Sequence, residues 1–179
     1  GTYTVSAENS LFKAKKLVIA TGGMSYTKTG SDGSLYPLIE KLGIQMIPAR
    51  PALVPIYTHS YGYKSLSGIS FKAVLVRLLE NNREIIAQTG DILLTHRAFS
   101  GPAILDISRY ADKGHKLEIN YIYPVTGQKA ADMIKADFQG NSRELHTYIS
   151  RIFKIPDAFA VKLIENAGIC PYMKTSCTE

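Results

Sequence analysis

The sequence has two cysteines, no tryptophan and no long apolar run. Two cysteines cannot build the disulfide framework of a small secreted domain, so we expect a reducing, cytoplasmic setting. Cys170 and Cys177 lack the second Cys or His pair that a zinc site needs, and we predict no metal. No apolar run approaches the ~20 residues of a membrane helix, so we expect no membrane partner. The histidines are scattered singly, and we assign them structural or surface roles: His59, His96, His115 and His146.

The charge distribution gives little support for a polyanionic partner. The 179 residues carry a formal net charge of +6. Nucleic-acid binding favours lysines and arginines clustered on one element with aromatic residues between them. The nearest cluster is Lys13, Lys15 and Lys16, which leads into an apolar segment. We therefore expect a basic solvated surface and no nucleic-acid partner. The chain begins at Gly1 without an initiator Met or signal pattern, and we interpret it as an interior piece of a longer protein.

The first 50 residues follow a strand, glycine loop and helix pattern. Tyr3–Val5 predicts a short strand, and Lys16–Ala20 predicts a buried strand bounded by glycines. Four glycines among polar residues make Thr21–Gly33 a loop. Apolar residues then recur at helical spacing from Leu35 to Leu42, and Gly43 ends the helix. This order is typical of a segment of a nucleotide-binding domain.

A change of composition marks a domain boundary near residue 50. Three prolines between positions 48 and 55 cannot lie inside regular structure without cost. The region 51–124 then reads as β-rich. It predicts a hairpin of Ser70–Leu79 and Glu84–Thr89, a turn at Gly90-Asp91 before a short strand Ile92–Leu94, and a half-buried strand Leu117–Tyr123.

Helices are predicted within and after the β-rich region. Ser100-Gly101-Pro102 combines a cap candidate with proline in the first turn, so a helix is expected to follow. After Pro124 the period becomes helical, with apolar residues at i, i+3, i+4, i+7 and i+8 from Leu145 to Phe153. Pro156 opens another helix, which Gly168 ends. We therefore assign 125–179 to a helical subdomain of the domain 51–179.

The glycine segment 20–30 allows three interpretations. Gly22 and Thr27-Lys28-Thr29 come within one residue of a P-loop, but the glycine before the lysine is missing and no helix follows directly. The dinucleotide fingerprint G-x-G-x-x-G is absent from this chain. The third interpretation is a later backbone contact of a flavin-binding domain, because glycine lets a backbone approach a ligand closely. A plain tight turn after a strand is the structural alternative.

Two blocks of residues carry a resemblance to a known family. The chain resembles the BaiN/YhiN-type, aminoacetone-oxidase-like family of bacterial FAD-dependent oxidoreductases. The first block comprises Leu17–Tyr26, Thr29–Gly33, Lys41–Gly43 and Pro51–Pro55, and the second comprises Gly90–His96, Phe99–Leu105 and Ser108-Arg109. Thr27 stands where the family usually has proline, and residues 29–36 read T-G-S-D-G-S-L-Y where the family usually has T-G-S-T-G-D-G-Y, so this loop is expected to differ in shape.

The resemblance implies a fold, a cofactor and site residues. The fold class would be α/β with α+β character: a strand–loop–helix remnant of the FAD-binding domain over 1–50, then a barrel-like insert with a helical subdomain. It implies FAD in the full-length protein, with the insert covering the flavin and helping to form a substrate pocket. The cofactor-binding candidates are Ala20, Thr21, Gly22, Gly23, Ser100 and Gly101.

No catalytic residue can be named from the sequence. Asp106, Tyr110 and His96 are candidates, but each is better explained by a structural role. We expect the parent protein to be an enzyme whose partners are the rest of its flavin-binding domain and a small-molecule substrate. The isolated chain, lacking the fingerprint, is expected to be inactive and to bind FAD weakly or not at all. The alternatives are a non-catalytic binding module and, less well supported, a degenerate P-loop protein.

Overall fold

The computed structural model describes residues 1–138 and 142–175. Cys177 lies outside the described residues, so the expectations about it stay predictions. The chain divides into two compact units, Gly1–Arg50 and Pro51–Glu179. Each unit is described by itself.

The first unit is a hairpin followed by a loop and one short helix. Strand β1 (Tyr3–Ala7) pairs antiparallel with β2 (Ser10–Ala14), and the turn places Glu8 in the left-handed region at φ +46°. Helix α1 (Tyr36–Lys41) follows the glycine loop and ends before Gly43, at φ +79°. The predicted helix is confirmed. Every residue from 1 to 50 is at least partly exposed, so this unit builds no buried core of its own.

The predicted buried strand at Lys16–Ala20 is wrong for this chain. The segment forms no strand, and its side chains are exposed, Val18 to 85%. A buried strand must give its N–H and C=O groups to neighbouring strands. The only sheet among the described residues of this unit is the β1–β2 hairpin, in which β2 was not foreseen as a strand. An apolar run without a strand to pair with stays irregular.

The second unit is built on a curled four-stranded antiparallel sheet. Its strands are β3 (Ser70–Glu80), β4 (Arg83–Leu94), β5 (Phe99–Ser100) and β6 (Lys116–Asn120), in the spatial order β5-β4-β3-β6. The β3–β4 turn places Asn81 and Asn82 at positive φ, which asparagine tolerates well. The predicted hairpin is confirmed, and the sheet forms a half-barrel with helices, as the expected fold class requires.

The predicted turn at Gly90-Asp91 is wrong, because β4 continues through it to Leu94. The irregularity lies in β3 instead, where a bulge between Phe71 and Val74 places Ala73 at φ +52°. The Ala73 N–H donates to the Asp91 carboxylate at 3.0 Å, so Asp91 stabilises the bulge. A Cβ on Gly90 would lie 3.3 Å from the Ala103 Cβ, so this glycine makes room for a helix.

Strand β6 is shorter than predicted, because it ends at Asn120 rather than Tyr123. The Asn120 side chain accepts a hydrogen bond from the Ile122 N–H and donates one to the Val125 carbonyl. These local bonds compete with the sheet ladder and turn the chain out of the strand.

Four α-helices complete the described part of the second unit. They are α2 (Pro102–Ile107), α3 (Gly127–Phe138), α4 (Leu145–Phe153) and α5 (Asp157–Asn166). The predicted helices at 102, 145 and 156 are confirmed, whereas α3 was not individually foreseen. Helices α2 and α5 contribute to one core with the sheet, and its fully or nearly buried members include Val74, Val76, Ile92, Leu94, Ile104, Ile107, Phe159 and Ala160.

Candidate functional site

The predicted cofactor segment Ala20–Gly23 is an exposed loop of the first unit. Gly22 has φ +75°, and an added Cβ would lie 3.0 Å from the Ser31 Oγ, so local geometry alone explains that glycine. Gly23 has no positive φ, and its Cβ would meet only the Tyr36 hydroxyl at an ordinary 3.6 Å. Its open side fits the close approach of a ligand to the backbone. The backbone contact of these residues with FAD stays a prediction.

The other predicted cofactor residues, Ser100 and Gly101, belong to the second unit. Ser100 lies in β5 opposite Leu93 and provides no side-chain cap to α2. Gly101 is the residue that precedes α2, at φ +93° and ψ 164°. A Cβ there would lie 2.7 Å from the Ile92 Cα, so close packing of α2 on β4 requires glycine. Their predicted cofactor contact stays a prediction.

The segment that opens the second unit is pinned to α2 and β5. The Val54 N–H donates to the buried Ser108 hydroxyl at 3.2 Å, and that hydroxyl donates to the Leu105 carbonyl at 2.7 Å. Ile56 and Phe99 exchange both backbone hydrogen bonds at 3.0 Å. Leu53, immediately before these anchors, has φ +55° and is 68% exposed. Positive φ is rare for a bulky residue and stores strain.

Leu53 lies at a cavity of about 470 Å³. Five aliphatic and four polar side chains line it: Ala52, Leu53, Ile86, Leu105, Ile107, Gln88, Asp106, Arg109 and Tyr110. The Arg109 guanidinium lies over the Tyr110 ring at 4.8 Å from the ring centre. Asp106 and Tyr110, for which the sequence suggested structural roles, therefore share one concave site. His96 is exposed in the turn before β5 and does not line it.

A cluster of aromatic rings forms the centre of the second unit. Phe159 packs on Phe71 and Tyr121 with ring centres 4.6 and 4.5 Å apart, and Tyr63 stacks on Phe159 at 6.0 Å. The neighbouring Tyr61 donates a hydrogen bond to the Thr95 carbonyl at 2.7 Å. Burial raises the pKa of the Tyr121 hydroxyl well above its usual range, and nearby Tyr63 adds to this. The cluster packs Tyr121 between the rings of Phe71 in the sheet and Phe159 in α5.

We expect the cluster to make the stability depend on alkaline pH. Because the folded-state pKa of Tyr121 is raised, its contribution is complete below the unfolded tyrosine pKa and is lost as pH rises beyond it. The unfolding free energy should fall by up to ~1.4 kcal/mol per pH unit above about pH 10. Chemical denaturation between pH 8 and 11 measures this, and Tyr121→Phe should flatten the slope. A Tyr121→Phe protein with the wild-type slope would contradict the prediction, and the exposed Tyr57→Phe serves as the control.

A second cavity, of about 580 Å³, lies between β6 and the helices α4 and α5. Its lining is almost wholly apolar and includes Tyr121, Phe159, Ile149 and Leu163. Among the described residues that line it none is charged at neutral pH, and Tyr121 is the titratable one. Across residues 1–138 and 142–175, no group of three or more His, Cys, Asp or Glu side chains is placed to hold a metal ion. No helix in that same part of the chain has the length and hydropathy to cross a membrane.

Residues 50–177 match the family model of the HI0933-like protein barrel and H2TH domain. The chain belongs to this family. Its members are FAD-dependent oxidoreductases of the BaiN/YhiN type, so the resemblance carried by the sequence motifs is confirmed. The match covers the second unit almost completely and agrees with its half-barrel sheet and following helices.

The curated proteins similar to this chain include two ribosomal RNA dihydrouridine synthases and a bile acid reductase. The ribosomal RNA dihydrouridine synthases of Escherichia coli and Haemophilus influenzae are each 32% identical to it, over 120 and 123 residues. The 3-dehydro-bile acid delta(4,6)-reductase of Clostridium scindens is 31% identical over 113 residues. These matches cover 67%, 67% and 63% of this chain but only 30%, 29% and 27% of the relatives. The chain thus spans less than a third of their length.

Sequence reasoning missed the polar cavity and the aromatic cluster. The cavity depends on the strained Leu53 and on the bond from Val54 to Ser108, two residues separated by 54 positions. The aromatic cluster joins Tyr63, Phe71, Tyr121 and Phe159 from four separate segments. The alternating aromatic residues of Leu117–Tyr123 indicated a buried face, but the sequence did not show which rings Tyr121 would contact.

Proposed function

We propose that this chain is the barrel and helical part of an FAD-dependent reductase that saturates a C=C bond conjugated to a carbonyl group. The family match over residues 50–177 carries the proposal. The relatives' names indicate the reaction: a dihydrouridine is a uridine with its ring double bond saturated, and a delta(4,6)-reductase acts on C=C bonds of a 3-oxo steroid. Both substrates place the double bond beside a carbonyl.

The cofactor supplies the redox chemistry and the protein supplies position. When bound in its reduced form, FAD would supply the hydride for the double bond, and the protein would position the flavin and the substrate. We assign residues 1–50 to the flavin-binding domain, with the Ala20–Gly23 backbone in contact with FAD. The exposed apolar side chains of this unit support the assignment, because Val18 and Ile47 are 85% and 86% exposed and need a cover. The rest of the same flavin-binding domain is the proposed cover.

The proposed substrate is a small molecule rather than RNA. Lysines and arginines outnumber acidic residues six to three in residues 1–50, eight to six in 51–124 and seven to six in 125–179. No segment concentrates the positive charge that phosphate backbones attract. Because two relatives are named for ribosomal RNA, RNA is the second candidate substrate. Offering a small molecule and RNA to the same enzyme distinguishes the two candidates.

The test uses the full-length protein that contains this chain, with FAD bound and reduced under anaerobic conditions. We expect a small cyclic enone to reoxidise the flavin rapidly, and unmodified ribosomal RNA to leave it reduced. Reoxidation by RNA alone would replace the small-molecule substrate with RNA. Reoxidation by neither would reject the reductase and favour the non-catalytic module, for which the separate core of the second unit is the supporting observation.

Gly23→Ala tests the flavin contact without the strain that complicates Gly22. The added methyl group meets no neighbour in this chain closer than 3.6 Å, so the fold should be unchanged. If the Gly23 backbone approaches FAD, the methyl group should weaken FAD binding about tenfold, measured by titration of the full-length apoprotein. Gly62→Ala is the control, since it is also free of positive φ and its Cβ has only Lys162 nearby, at 4.0 Å. Equal FAD affinity in both variants would reject the contact.

A further inference from the structure

The cavity beside Leu53 has the composition of a small-molecule binding site. Its volume, about 470 Å³, lies within the range of ligand pockets. Aliphatic walls with a few polar groups are the usual lining of such pockets. The polar groups here are the side chains of Gln88, Asp106, Arg109 and Tyr110, three of which follow one another closely along α2 and the short turn after it.

The two charged side chains of this cavity, Arg109 and Asp106, form no ion pair among the described residues. Among the described residues, neither Arg109 nor Asp106 lies within 4.0 Å of an oppositely charged group. Arg109 rests on the Tyr110 ring, which orients the guanidinium and leaves its N–H donors available. Arg109 is exposed, so its donors are open to a ligand, and a guanidinium forms charge-assisted hydrogen bonds to an oxygen acceptor.

The strained segment fixes one wall of the cavity. Leu53 has a positive φ although it is not a glycine. Hydrogen bonds on its C-terminal side fix the backbone there: Val54 bonds to Ser108, and Ile56 bonds to Phe99. Strain of this kind persists where the surrounding structure enforces it and is frequent at ligand sites. The exposed Leu53 side chain is thereby kept at the cavity rather than packed into the core.

We propose that this cavity binds an uncharged carbonyl compound, with Arg109 donating hydrogen bonds to the carbonyl oxygen. Asp106 decides between a carbonyl and a carboxylate, because a second negative charge in the same cavity is repelled whereas a neutral carbonyl is not. The aliphatic walls receive the hydrocarbon part of the ligand. In this proposal Arg109 donates the hydrogen bonds, Asp106 excludes anionic ligands and Leu53 forms part of the apolar wall.

If the proposed reductase function holds, the carbonyl compound bound in this cavity is the substrate of the reductase. When hydride adds to the β-carbon, the C=C electron pair moves toward the carbonyl and leaves negative charge on its oxygen. The Arg109 guanidinium stabilises this enolate, a form of catalysis that acts where charge develops. A proton from water then adds to the α-carbon, so the substrate gains one hydride and one proton and the reduced flavin is oxidised.

The test measures binding of cyclohex-2-enone to the 179-residue chain by ¹H–¹⁵N NMR. We expect saturable shifts at the amides of residues 52–53, 86–88 and 105–110. Cyclohexene, which lacks the carbonyl, and cyclohex-1-ene-1-carboxylate, which is anionic, should each bind at least about tenfold more weakly. Shifts confined to the apolar cavity near Tyr121, or equal binding of enone and cyclohexene, would overturn the proposal.

Variants separate the roles of the two charges. Arg109→Gln should weaken enone binding about tenfold or more, whereas the exposed Arg97→Gln should leave it unchanged. Asp106→Asn should raise affinity for the carboxylate and leave the enone affinity unchanged. If Arg109→Gln does not fold, Arg109→Lys keeps the charge and removes the fork of donors. Enone affinity unaltered by both Arg109 substitutions would overturn the assignment.

The same set of measurements keeps this site and the reductase apart. Binding at residues 105–110 together with no flavin reoxidation in the full-length protein rejects the proposed function and leaves the carbonyl site standing. Flavin reoxidation at the wild-type rate in full-length Arg109→Gln rejects the site and leaves the reductase standing. In a reductase that uses this site, Arg109→Gln should lower kcat more than it raises KM, because the charge on oxygen develops in the transition state.

Discussion

Gly101→Ala is expected to unfold the second unit or to leave it barely stable. The backbone at φ +93° and ψ 164° belongs to a region that residues with a Cβ almost never adopt. The added carbon would also lie 2.7 Å from the Ile92 Cα and 2.9 Å from the Asp91 carbonyl oxygen, and both are backbone atoms of β4. Strain and steric overlap together should lower the unfolding free energy by at least ~3 kcal/mol.

Gly114→Ala is the matched control for this experiment. Gly114 has φ +94°, nearly the angle of Gly101, but its Cβ would meet no atom within 4 Å. Its alanine variant therefore reports the cost of a positive φ without steric overlap, roughly 1–2 kcal/mol. Urea unfolding of both variants gives the difference, which measures the close approach of α2 to β4. Equal losses in the two variants would show that packing against Ile92 is unimportant.

This glycine illustrates how far the sequence predicts the site. Ser100-Gly101-Pro102 correctly predicted where α2 begins, because cap and proline preferences are local. The reason for Gly101 is not local, since Ile92 comes from β4 and its approach depends on the sheet. The same limit explains Gly90, where a glycine-aspartate pair suggested a turn. There the absent Cβ accommodates Ala103 and Asp91 supports a bulge in another strand.

Apolar runs were interpreted correctly where their pairing partners lie nearby in the sequence. Ser70–Leu79 and the returning strand are separated by a short turn, so the hairpin could be predicted from alternation and two asparagines. Lys16–Ala20 has equally strong β-forming residues but no pairing strand in its unit, so it stays irregular. The family motifs identified the second unit because they lie within continuous segments. The cavity beside Leu53 joins residues from 52 to 110 and could not be predicted from motifs alone.

Phe159→Ala is expected to be the most destabilising substitution that leaves the backbone conformation possible. The side chain is fully buried and contacts the rings of Phe71, Tyr121 and Tyr63. It belongs to α5 but lies in the core of the sheet, so it joins α5 to the half-barrel. Truncation of a buried phenylalanine costs about 3–5 kcal/mol, from lost burial and from the cavity that remains.

The neighbouring cavity makes the upper part of that range the expected result. Phe159 already lines the apolar cavity of about 580 Å³, so its removal enlarges an existing void instead of creating one that neighbours could fill. Phe159→Leu should recover more than half of the loss, and truncation of the exposed Tyr57 to alanine should change stability by less than ~0.5 kcal/mol. Urea unfolding followed by near-ultraviolet circular dichroism measures all three variants. A loss below ~1.5 kcal/mol for Phe159→Ala would mean that α5 is held to the sheet mainly by other contacts.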